Sequence, residues 1–480
     1  MADEEEDKGS GDGGSDKIEE KPPEPEPPKV PDVELIVDGF GFMPKSEQTA
    51  TVLAPRIKRT SKDHRTSKDH RASKDMLMPE DGPKSPCASS TNIDIVRRYT
   101  WKTKNRMTVQ VISYGATITS IQVPDRKGVP DDVIAGFDTL EEYFQLRNPY
   151  FGSTIGRYAN YIREGTVVVR PSGRMYMLST NRGHHHYHGG YVGFDKVNWR
   201  SYVTGNKVIM SHVSERFDQG YPGTLMTQIA FEVTCDNTIK IEMKCTTSEP
   251  TIINMSSMPY FNLAGHHTGS DTVYDHIFTI NADKYTVADD EGLVTGEKKV
   301  VGGTAYDFRV PRVLRSMIPK IPLGGYDVNF CVTQGTEQDL TFHARSLHPL
   351  TGRVLEVYSN QPGLQFYTGN LLPDPDKIVE HESEESGSEE EEEESGSEKS
   401  SANGEEAAEE GSVGKPSFGY VPLMGKGGTF YKKHGLFCLM PQNFPDAVNH
   451  RNFPNSVLNP GEVYVHRIQY KFGLLLGRYV

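Results

Sequence analysis

Residues 231–245, FEVTCDNTIKIEMKC, alternate apolar and polar side chains on either side of Asp236-Asn237, with Phe231, Val233, Ile239, Ile241 and Met243 on the apolar positions. Side chains of an extended chain point to opposite faces in turn, so a period of two around turn residues describes half-buried antiparallel strands. The same texture recurs in MTVQVISYG (107–115), HIFTINADKYTV (276–287), RVLEVYSN (353–360) and GEVYVHRIQYKFGL (461–474). Helix-like spacing is confined to short pieces such as DTLEEYFQL (138–146). The expected fold is all-β, built from two large packed antiparallel sheets.

Two stretches lack this texture. Residues 1–95 are dominated by Glu, Asp, Lys, Pro, Ser and Thr, and residues 376–414 hold the run Glu389 to Glu394. Neither can bury enough apolar surface to order itself, so both are expected to be disordered, leaving residues 96–480 as one β domain interrupted by an acidic insert. The arm carries RTSKDH at 59–64 and 65–70 and RASKDM at 71–76, a locally basic repeat; it also holds one apolar island, VELIVDGFGFMP (33–44), able to dock as an extended strand on a partner or on its own domain. From Asp376 to Glu410 there are sixteen acidic residues and two lysines, a surplus equal to the chain's whole net charge of −14. Everything outside the insert is therefore neutral in sum. The insert invites a basic protein partner, or the basic repeats of the same chain, through contacts screened within about 8 Å at physiological salt.

Charge and composition also narrow the function. No basic stripe with interleaved aromatics points to nucleic acid. No run approaches the eighteen or so apolar residues that cross a bilayer. Five scattered cysteines without a CxxC pair, and an acidic start without an apolar leader, suit free thiols in the cytoplasm.

The densest chemistry lies at 183–199, GHHHYHGGYVGFDKVNW. His188 precedes Gly189-Gly190, and a glycine pair lets backbone take positive φ and approach another group closely. Four histidines at 184, 185, 186 and 188 raise a metal reading, which fails for lack of a second cluster at ligand spacing. No metal and no cofactor are expected.

YHGGYVGFDKVNW resembles the LHGG-x-x-GFDK-x-x-W segment of the aldose 1-epimerase (galactose mutarotase) family. Further stretches agree in the same order: FGSTIGRYANYI (151–162), GYPG (220–223), NMSSMPYFNLAG (254–265), LEVYSNQPGLQFYTGN (355–370) and CLMPQNFPDAVNH (438–450). The resemblance implies the family's galactose-mutarotase-like super-sandwich and a cleft for a hexose or another small polar ligand. In that family a histidine of NHSYFNL protonates the ring oxygen and a glutamate of CLETQ takes the proton from the C1 hydroxyl, so that the ring opens and recloses as the other anomer. Here those places hold Met258 and Met440, and the sugar-binding arginine of ANRI is Tyr161. A thioether has no proton to give and accepts hydrogen bonds weakly. Asn160, His188, Asp327 and Gln365 remain at positions the resemblance places around the sugar.

The implied function is a carbohydrate-binding member of the family with little or no mutarotase activity. Its rivals are an active epimerase with relocated acid and base, drawn from Asp327 and His188, and an interaction module with a vestigial cleft. Replacement of a charged fork by the Tyr161 phenol is expected to make the pocket more apolar.

Overall fold

The structure is a computed structural model and describes residues 32–44, 95–145, 148–170, 172–321, 324–335, 339–374 and 422–477. The basic repeats and the acidic run of the insert lie outside these residues. The alternation at 231–245 becomes strands Leu225–Thr234 and Thr238–Thr247, paired antiparallel with Phe231 opposite Ile241 and Val233 opposite Ile239. All the apolar positions of that stretch are 1% exposed or less. These strands lie inside a nine-stranded antiparallel sheet, which continues through Tyr464–Leu474, Arg353–Ser359 and Thr341–Leu347.

A second, five-stranded antiparallel sheet runs in the order Val294–Val300, Ala282–Ala288, Asp327–Val332, Gly363–Tyr367 and Cys438–Gln442. Val328, Phe330, Leu364, Phe366 and Leu439 of this sheet join Phe231, Ile241, Val357 and Ile468 of the large sheet in one apolar core. Because side chains alternate, the residues between them, Asn329, Gln365 and Met440, turn to the other face. There they form one row across three strands, Asn329 opposite Gln365 and Gln365 opposite Met440.

The apolar island of the N-terminal region docks on its own domain. Val33–Phe42 pairs antiparallel with Ile95–Thr103 as the outer strand of another five-stranded sheet. Val33 and Leu35 pack on the main core, while Phe40 and Met43 pack on a second apolar cluster. The Arg98 guanidinium holds Asp38 through two hydrogen bonds of 3.0 and 2.5 Å. The folded body therefore takes in a segment from within the first 95 residues. The short helix expected in DTLEEYFQL is a single turn, Leu140–Tyr143, started by a capping box between Thr139 and Glu142.

Two motifs are explained by packing. Arg157, 1% exposed, donates hydrogen bonds to the carbonyls of Ser214, Glu215, Pro222 and Gly223 and to the Ser214 hydroxyl. One guanidinium thus pins the GYPG turn to the IGR segment. Gly189 has φ +87°, and a Cβ there would lie 1.9 Å from the Gly156 carbonyl oxygen. The close approach that Gly189 permits is to the chain's own backbone.

Candidate functional site

His188 is fixed by a reciprocal tie to Asn160. Its N–H donates to the Asn160 carbonyl at 3.2 Å, and its Nδ1 accepts from the Asn160 N–H at 2.9 Å. An accepting Nδ1 leaves the proton of a neutral imidazole on Nε2. Burial holds the His188 pKa well below 6.5, so the ring is neutral at physiological pH. The Tyr187 ring stacks on it at 3.8 Å between centroids, and Tyr150 meets it edge-on at 4.9 Å.

From the five-stranded sheet come Asp327, Gln365 and Met440. The Gln365 amide donates to the Asp327 carboxylate at 2.7 Å, and Asp327 is exposed at the mouth of the site. Met258 enters from the segment after Ser256–Ser257, its backbone N–H donating to the Ser153 carbonyl at 3.0 Å and its carbonyl accepting from Gly152 at 2.9 Å. Met258 is 5% exposed and Met440 1%. Both belong to an apolar cluster with Tyr260, Tyr367 and Leu372.

All the candidate residues, Asn160, Tyr161, His188, Met258, Asp327, Gln365 and Met440, line one cavity of about 40 Å3. It adjoins an outer cleft of about 410 Å3 that shares Asn160, Tyr161, Asp327 and Gln365 and extends past Tyr285, Asp289, Tyr306 and Asn329. Burial raises the Tyr161 phenol to about 12 and lifts the Tyr187, Tyr260 and Tyr367 phenols well above 10, so these hydroxyls are protonated.

The other histidines of 184–188 diverge. The His186 ring is buried between the Ser179 carbonyl at 2.7 Å and the Tyr221 hydroxyl at 2.6 Å, whereas His185 accepts from the Glu164 N–H at 3.0 Å. Among the described residues no group of three His, Cys, Asp or Glu side chains is placed to hold a metal ion. Asp195 and Lys196 pair at 2.5 Å, and the Trp199 indole is buried with its N–H on the Phe194 carbonyl. That half of the motif holds the loop rather than facing the cavity.

One expectation needs correction. The pocket does not become simply apolar, because Arg182 brings a guanidinium into its lining, with its central carbon 5.8 Å from the Tyr161 ring centre and 4.6 Å from that of Tyr187. Sequence reasoning also missed Tyr150, Tyr187, Tyr260 and Tyr367. Tyr187 was signalled by standing where LHGG has leucine, and Tyr260 and Tyr367 lie inside quoted motifs; Arg182 carried no signal.

The antiparallel sheets, with a cleft on the outer face of the one that carries Gln365 and Met440, share the fold of solved aldose epimerases. A family-wide profile for aldose 1-epimerase matches residues 97–471, and the chain belongs to that family. It is 38% identical over 370 residues to the galactose mutarotase of Bos taurus, covering 77% of this chain and 92% of that protein. It is likewise 38% identical over 366 residues to that of Homo sapiens, covering 76% and 91%. Among solved structures, an aldose epimerase homologue from C. elegans superposes with a TM-score of 0.62 at 24% identity, covering 78% of this chain and 97% of that one. Galactose 1-epimerase from Lactobacillus acidophilus gives 0.59 at 20% identity, covering 80% and 97%.

Proposed function

We propose that this chain is a non-catalytic member of the aldose 1-epimerase family that holds a saccharide in the cleft without interconverting its anomers. The observation that carries the reading is the convergence of Met258 and Met440 on one cavity, at the positions where the family has its acid and its base. A positioned acid or base contributes roughly 10²–10⁴-fold, and neither thioether can carry a proton.

The active alternative, with acid and base moved to Asp327 and His188, meets a physical obstacle. His188 Nδ1 is already occupied by the Asn160 N–H, and burial disfavours its charged form. A neutral imidazole whose remaining N–H faces the cavity donates a hydrogen bond but neither takes up a proton readily nor releases one. The tyrosines are too weakly acidic to substitute. The vestigial reading draws on the narrow inner cavity, yet the outer cleft keeps room and polar groups for a ring.

Among the described residues, no helix is long and apolar enough to cross a membrane, and Cys235, Cys245, Cys331 and Cys438 are free thiols. We place the protein in the cytoplasm on that chemistry, with the acidic insert available to a basic protein partner. Ligand-observed NMR with the full chain and an α/β mixture of hexoses tests the functional reading: saturation transfer to the sugar without exchange between anomers supports it, and catalysed exchange refutes it.

A further inference from the structure

The donors that face the inner cavity lack an acceptor. His188 is 2% exposed and its Nε2 has no partner, and the buried Nε of Arg182 has none either. Among the described residues no ion pair or side-chain hydrogen bond engages the Arg182 guanidinium, which rests only on the faces of Tyr161 and Tyr187. Burial works against the charge of Arg182 and the facing groups, the Asp327 carboxylate among them, more than offset it through space, but a buried guanidinium N–H without an acceptor is costly, and so is a buried imidazole N–H without one. Both costs are relieved by the same thing, an anionic acceptor brought in from outside.

The space has a matching size. At about 10–15 Å3 for each water on the same measure, the inner cavity of about 40 Å3 has the size of a few waters or one planar carboxylate. The outer cleft of about 410 Å3 begins where Asn160, Tyr161, Asp327 and Gln365 end the inner one. It offers groups suited to hydroxyls: the Asn329 amide has neither its nitrogen nor its oxygen bonded, Gln365 Oε1 is unpartnered, and the Asp327 carboxylate stands at the mouth. A ligand that fits both spaces has a carboxylate at one end and a polyhydroxylated ring at the other.

We propose that the cleft selects a sugar acid, a hexuronic acid or its like, with the carboxylate received by Arg182 and His188 and the ring lying in the outer cleft. This rests on the reading of the site as a binding cleft and adds a ligand class to it. Arg182 then acts as the specificity residue, restoring from a different loop the cation that Tyr161 removed. A planar carboxylate meets a guanidinium edge through charge-assisted bonds, which a neutral hydroxymethyl group cannot match. Phosphate is tetrahedral and larger, and among the described residues Arg182 is the one lysine or arginine in the cavity lining.

The test is titration calorimetry of the full chain with galacturonate, galactose and galactose 6-phosphate, on wild type and on Arg182→Gln and Arg182→Lys. Galacturonate is expected to bind about tenfold or more tightly than galactose, with Arg182→Gln abolishing that margin and Arg182→Lys keeping part of it. Unchanged melting temperatures in both variants separate loss of recognition from loss of fold. Equal binding of galactose and galacturonate overturns the sugar-acid assignment and leaves the saccharide cleft standing. Tighter binding of the phosphate overturns the carboxylate assignment, and no binding of any of the three overturns both readings.

Discussion

Gln365 and Met440 stand directly opposite each other on neighbouring antiparallel strands, and both reach the cavity that Met258 closes from another segment. The thioether at 440 thus lies beside an amide that already serves Asp327. The thioether supplies no donor, and the amide oxygen of Gln365 has no partner.

Restoring the proton carriers should restore chemistry only as a set. Met258→His, Met440→Glu and Tyr161→Arg together are expected to give measurable anomer exchange, and none of the single changes should, because acid and base act as a unit. Adding Tyr187→Leu should raise the rate further by freeing the space where its ring stacks on His188. Met440→Glu alone should lower the melting temperature, since it places a carboxylate at a position 1% exposed inside an apolar cluster. Polarimetry and scanning fluorimetry on this set read both effects.

Much of this geometry was legible because motif order fixes place: once FG-x-x-IGR, YHGG, SYFNL-like and QFYTGN segments are recognised, Asn160, His188, Met258, Gln365 and Met440 must share one cleft. Alternation likewise placed the strand pair at 231–245. Arg182 was illegible, because a guanidinium entering a pocket over two phenol faces depends on loop shape and leaves no periodic or motif signal. The destination of Val33–Phe42 was open for another reason. An extended apolar segment can pair with any free edge, and its partner begins fifty-odd residues later in the chain.

Removing residues 1–44 should destabilise the body. Loss of that strand leaves Ile95–Thr103 as a bare edge and uncovers apolar surface next to Trp101, so a lower melting temperature and concentration-dependent aggregation are expected. Deleting residues 379–410, by contrast, should leave the melting temperature unchanged, because that stretch is mostly Glu, Ser and Gly and has few apolar side chains to bury. Scanning fluorimetry with light scattering compares the two truncations.

Acid should unfold the protein before its carboxylates matter. Burial pushes His186 and His343 down to about 4 and His276 and His466 down to about 3, while their unfolded pKa is near 6.5. The unfolded chain therefore binds more protons below pH 6.5, and each such histidine withdraws about 1.4 kcal/mol of stability per pH unit until its own folded pKa is reached. Stability should be flat from pH 8 to 7 and fall steeply between pH 6 and 4. Chemical denaturation at a series of pH values measures the slope, and a flat profile down to pH 5 would contradict buried neutral rings.

Arg157→Ala should cost about 3–5 kcal/mol or prevent folding, because it strands several buried carbonyls that the guanidinium now serves. Arg157→Lys should recover only part, since an ammonium cannot span acceptors on both sides of the turn. Soluble yield and denaturant midpoints distinguish the two.

The most direct test of the central claim is polarimetry of fresh α-galactose and α-galacturonate with the purified wild-type chain, run beside the bovine galactose mutarotase. Anomerisation of both sugars at the spontaneous rate, under conditions where the bovine protein completes the conversion of galactose, is the expected result. Turnover of either sugar within about a hundredfold of the bovine rate on galactose would contradict the account, because it would exceed what a cleft without acid or base can supply.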